Sequence, residues 1–181
     1  MAFYLFGTLL ALSRLCAAGA ETSWNWGEYP EHQPPAGFRS TVAGTGALGE
    51  WKVIPDPAAS AIAPATNRIV LAQLAGEKTA NHFPILLFDR ETYGDFSHTT
   101  RIKLVGGETE QIAGVIFHFQ NESNYFVAAA NVMRSNVCCY KITQGEITPL
   151  YGLKRPVAAG EWHTVKVQCD GNRVVLVFDE Q

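Results

Sequence analysis

The chain has 181 residues, 47% of them hydrophobic and 17% charged, and a net charge of −3. That is the composition of one ordinary globular domain, long enough to bury about two thirds of its unfolded surface. With no basic run or Lys/Arg stripe, it argues against nucleic acid as a partner and against a polybasic membrane contact.

Residues 1–20 read as a secretory signal, which makes the mature protein secreted or periplasmic. An apolar run from Ala2 to Leu12 precedes Ala18-Gly19-Ala20, a small-x-small cleavage pattern ahead of Glu21. The run is too short for a transmembrane helix, so no membrane span is expected in the mature chain. The alternative for the same residues is a buried N-terminal element. Residues 21–36 are rich in Pro and polar groups and read as an extended leader to a domain over 37–181.

Gly37 to Glu50 is Gly-rich and predicts a loop. Trp51-Lys52-Val53-Ile54 is the first strand, stopped by Pro55-Asp56-Pro57. Ala58 to Thr66 is small and Pro-broken, hence loop. Strands are then predicted over 69–74, 85–88, 96–104, 112–120, 124–131, 136–143, 146–151, 162–169 and 173–179. Gly106-Gly107, Asn121-Glu122-Ser123, Gln144-Gly145 and Asp170-Gly171-Asn172 supply the turns, the last being the strongest hairpin signal. About nine or ten strands with short turns and no helical period imply an all-β fold, a two-sheet antiparallel β-sandwich or jelly roll.

The stretch from Gly114 to Thr143 carries most of the functional content. It reads as a three-strand meander with polar side chains spaced through it: His118, Gln120, Tyr125, Asn131 and Lys141. Alternation sets Val115, Phe117 and Phe119 against Ile116, His118 and Gln120, and sets Tyr125, Val127, Ala129 and Asn131 on one side of the next strand. An open face bearing aromatic and amide groups is a platform for a sugar. In 162–169 the expectation is His163, Val165, Val167 and Cys169 inward. The run Val174–Phe178 is apolar on both faces and predicts a central, covered strand.

Chemistry is sparse. Glu108-Thr109-Glu110 alternates but follows a Gly-Gly turn, and Asp179-Glu180 are adjacent, so a two-carboxylate glycosidase is disfavoured. There is no Gly-x-Ser-x-Gly elbow and no Cys/His metal spacing, so no metal is expected and the cofactor stays unknown. Cys138, Cys139 and Cys169 read as small buried hydrophobes, with at most one of the first two able to reach the third.

In order and spacing the chain resembles a bacterial exported family with a concanavalin A-like (laminin G-like) sandwich, often labelled 3-keto-disaccharide hydrolase. The residues that carry the resemblance run from Pro35-Ala36-Gly37-Phe38 through Gly49-Glu50-Trp51-Lys52-Val53 with Asp56, and Val70-Leu71-Ala72-Gln73. They continue through Ala113-Gly114-Val115-Ile116-Phe117-His118, Asn124-Tyr125-Phe126-Val127, Ala130-Asn131, Asn136-Val137 and Tyr140-Lys141 to Trp162-His163. The chain departs from the family at Ala129 and His118, where arginines are usual. The resemblance further implies a closing strand after the last one seen here, so the sandwich is expected to lack its last strand and to show an open edge.

The first functional reading is therefore an exported module that binds a carbohydrate ligand, with Tyr125 stacking and Asn131, His118, Gln120 and Lys141 as polar contacts. The second, implied by the resemblance, is a hydrolase or lyase of keto-disaccharides with His118 as its base. The third is a truncated, inactive family member.

Overall fold

The computed structural model describes residues 21–57, 68–76, 81–108 and 110–180, together with the backbone of Ala2–Phe6. Its strands are β1 (Ala2–Phe6), β2 (Arg39–Gly44), β3 (Trp51–Pro55), β4 (Ile69–Gln73), β5 (His82–Leu87) and β6 (Phe96–Gly106). They continue as β7 (Ile112–Asn121), β8 (Asn124–Asn131), β9 (Asn136–Thr143), β10 (Glu146–Lys154), β11 (Trp162–Asp170) and β12 (Arg173–Phe178). A six-stranded sheet in the order β12-β11-β6-β1-β4-β3 faces a four-stranded sheet in the order β10-β9-β8-β7, and β2 and β5 form a separate ribbon. Every pairing is antiparallel. The all-β sandwich expected from the turn spacing is the fold.

The main core lies between the two large sheets. Ile102, Leu104, Val165, Val167, Cys169 and Phe178 meet Ala113, Phe117, Ala128, Ala130, Val137 and Cys139. Each is the inward member of an alternating strand, and burying one branched aliphatic side chain is worth about 1.5–3 kcal/mol. The meander is drawn tight at Gly114, where a Cβ would stand 2.0 Å from the Ala128 carbonyl oxygen. Cys138, Cys139 and Cys169 are free and buried, and burial pushes all three thiols up in pKa.

Three expectations are revised, and the N-terminal run takes a place in the sheet. The Gly-rich run 37–50 contains a strand, β2, because Arg39–Ala43 pair with Phe83–Leu87 before Gly44 turns at φ +84. Residues 21–36 are more than an extended leader. Trp26 is buried against Trp51, Val53 and Leu71, and the backbone of His32 and Gln33 hydrogen-bonds to Val53 on the outer side of β3. β12 is an edge strand rather than a central one, with Val174 left exposed. Finally, Ala2–Phe6, the start of the apolar run read as a leader, is a strand of the six-stranded sheet between β4 and β6. Residues 7–20 and the predicted loop 58–66 lie outside the described residues.

Candidate functional site

Tyr125 and Asn131 do emerge from one side of β8, but that side is covered. Tyr125 is 7% exposed and packs with Ile142 against Ala43, Ile85 and Leu87 of the β2–β5 ribbon. Burial raises its hydroxyl pKa. Asn131 is 2% exposed, donates to Glu110 at 2.8 Å, and accepts from the Arg134 backbone N–H. Arg134 clamps the same Glu110 carboxylate at 2.7 Å. These two residues are therefore corrected from ligand contacts to packing and turn-fixing roles. Alternation sets the two on one side of β8, but the ribbon that covers Tyr125 was not legible in the run 37–50, which reads as loop.

His118 departs from simple alternation. The β7–β8 register breaks between Phe117 and Asn121, and His118 takes φ +49. This bulge swings the imidazole onto the side of Phe117, edge-on to Phe117 at 5.5 Å, Phe126 at 5.7 Å and Phe96 at 6.4 Å. His118 and Gln120 are exposed. Lys141, also exposed, lies opposite Phe126 with its ammonium 5.9 Å from that ring. The structure thus brings His118 and Lys141 together on the face of the four-stranded sheet that looks toward the six-stranded one. Tyr125 and Asn131 belong to the opposite face.

The same face continues onto β10, which is exposed along its whole length. Thr148 lies opposite Lys141 and Tyr151 opposite Cys139, with a register shift between Pro149 and Tyr151 that uses up Leu150. Directly paired residues share a face, so Tyr151, Thr148, Lys141 and Phe126 form one strip, and Tyr151 is the diagonal neighbour of Lys141 at roughly 7–8 Å. Tyr151 is 54% exposed. It was absent from the sequence-derived site, although a tyrosine beside Gly152 at the end of a predicted strand was the available signal.

The other polar groups are committed to structure. Asp179 accepts from the Thr164 backbone N–H and holds His163 Nδ1 at 2.8 Å, while His163 Nε2 faces the Ala158 carbonyl at 3.0 Å. Asp56 and Lys103 form a buried ion pair at 2.8 Å, with the Lys103 ammonium 4.9 Å above the Trp162 ring. Among the described residues no group of three or more His, Cys, Asp or Glu side chains could hold a metal ion.

Comparison with known proteins adds the class and then a particular likeness. Residues 108–181, the run containing β7 to β12, match the laminin G domain family. A carbohydrate-binding module, CBM66 from Bacillus subtilis, is similar in structure: TM-score 0.56, 15% identity, 84% of this chain and 79% of that chain covered. At that identity the likeness speaks for the fold. No curated protein matches by sequence. Among the described residues no helix is long and apolar enough to cross a membrane.

Proposed function

We propose that this protein is a carbohydrate-binding β-sandwich module whose ligand lies along the strip of β8, β9 and β10. The observation that carries the reading is an exposed Tyr151 ring beside exposed Lys141 and Thr148 on one sheet face. An aromatic ring held on a rigid strand offers stacking area to the C–H face of a sugar at little entropic cost, and flanking hydroxyl and ammonium donors set orientation. His118 borders the strip at the β7 bulge, beside Phe126. The likeness to a solved carbohydrate-binding module supports this reading, and the leader-like residues 1–20 support a place outside the cytoplasm.

The test is calorimetric titration against neutral and acidic oligosaccharides. Tyr151→Ala is expected to weaken binding about tenfold or more, equivalent to about 1.4 kcal/mol. Lys141→Ala should weaken it less, and Tyr125→Phe, a buried control, should leave it unchanged. The reading fails if Tyr151→Ala binds as well as the parent. The keto-sugar hydrolase is tested in the same samples: turnover of a 3-keto-disaccharide that disappears in His118→Ala would establish it in place of a pure binding module.

A further inference from the structure

β1 is seated between β4 and β6, antiparallel to both. Phe3 stands opposite Gln73 on one side and Leu104 on the other, Tyr4 opposite Ala72 and Lys103, and Leu5 opposite Leu71 and Ile102. The stretches of wall that face β1 are deeply buried: Val70, Leu71 and Ala72 are 0–2% exposed, and Ile102, Lys103 and Leu104 likewise. Both walls turn a row of backbone N–H and C=O groups toward β1. A vacant groove would orphan both rows at once, so the sheet requires a strand there. The strand it holds comes from the very segment that reads as an export leader, a segment liable to removal.

One polar group indicates what the groove prefers. Gln73 is fully buried, and neither its amide nitrogen nor its amide oxygen has a hydrogen-bond partner. Trp51, its neighbour in the same register row on β3, also has a buried indole N–H with no acceptor. The third position of the inserted strand is opposite Gln73, and the phenyl group of Phe3 can neither donate nor accept. Leaving a buried amide unmet is unfavourable, so Ala2–Phe6 fits the backbone of the groove better than its chemistry.

We propose that the groove between β4 and β6 is a strand-acceptor site, filled by Ala2–Phe6 as an exchangeable insert, and selective for an extended apolar peptide with a hydrogen-bonding side chain opposite Gln73. The site lies in the six-stranded sheet, away from the β9–β10 strip, and its test involves no sugar. The full chain, carrying a protease site between Ala20 and Glu21, is nicked after folding. Labelled peptides of residues 1–8 are then offered in three forms: native, Phe3→Thr and Leu5→Pro. The leader is expected to stay bound after nicking, to be displaced by the native peptide, and to be displaced about tenfold better by the Phe3→Thr form. The proline form, which lacks a ladder N–H, should fail. Hydrogen exchange at residues 69–73 and 100–104 should remain slow while any peptide is seated. If the domain opens when the leader leaves, recovery with added peptide supports the site and no recovery overturns it. Loss of the leader with exchange unchanged, or equal displacement by the proline peptide, also overturns it. Equal displacement by the native and Phe3→Thr forms overturns the selectivity. Leu5→Pro in the uncut chain gives an independent check, expected to speed exchange in β4 and β6.

Discussion

At Gly114 and His118, four residues apart on β7, one backbone position allows no side chain and the other carries one in a left-handed conformation. Gly114 leaves no room for a Cβ because the Ala128 carbonyl and Ala129 backbone press against it. Gly114→Ala is expected to destabilise the domain by about 1–3 kcal/mol, or more if the β8 backbone cannot yield, measured as a lower urea midpoint with an unchanged m-value. The residues show how far the sequence alone could go. Period-two alternation put Val115 and Phe117 together on what is the core side of β7, and His163, Val165 and Val167 facing inward. Phe119, set on the same side as Phe117, packs instead with Tyr125. Alternation failed at His118, because a bulge inserts an extra residue and no side-chain pattern announces the insertion. It also set Tyr125 and Asn131 on one side of β8 while giving no hint that the β2–β5 ribbon covers Tyr125.

Between elements, the Asp56–Lys103 pair joins the end of β3 to β6 across the outer side of the six-stranded sheet. Both side chains are almost wholly withdrawn from water, at 4% and 3% exposure. Removing one partner strands the other charge in a low-dielectric site. Lys103→Met is expected to lose about 3–5 kcal/mol in chemical denaturation, and the double variant Asp56→Leu with Lys103→Met to recover much of that loss. The strands themselves were largely legible: β3 to β12 follow from β-branched and apolar runs punctuated by Gly and Asn turns, with β5 expected over 85–88 and found over His82–Leu87. Two were not. β2 is short and flanked by glycines, so its loop signal outweighs its strand signal. β1 is apolar throughout, which is equally the signature of an export leader; periodicity cannot separate the two.

For the molecule as a whole, one histidine makes stability depend on acidity. His98 lies on the inward side of β6 near Trp24, and burial holds its imidazole below the ordinary value of 6.5. The unfolded chain therefore takes up a proton first. Well above pH 6.5 both states carry a neutral ring and nothing is lost; as pH falls through 6.5 toward the folded-state value, the native state is progressively penalised. The urea midpoint of the parent should drop between about pH 7 and about pH 5.5, before most carboxylates titrate. His98→Leu should flatten that part of the profile, and a parallel drop in the variant would disprove the assignment.

The molecule's borders complete the picture. On the six-stranded sheet the outer strand β3 is partly capped by the backbone of His32 and Gln33. On the four-stranded sheet β10 is left bare, with Ile147, Leu150, Tyr151 and Leu153 all near half exposed. A bare greasy ribbon normally invites stacking into filaments, since each newcomer presents the border that recruits the next. The irregular step at Leu150, beside a proline with no amide hydrogen to give, makes β10 a poor template for such copying. What self-templating needs is a straight rail, whereas a short oligosaccharide needs only the few ångströms around Tyr151. On the proposed reading, one kink leaves this border fit for a small guest while denying a second copy a straight template.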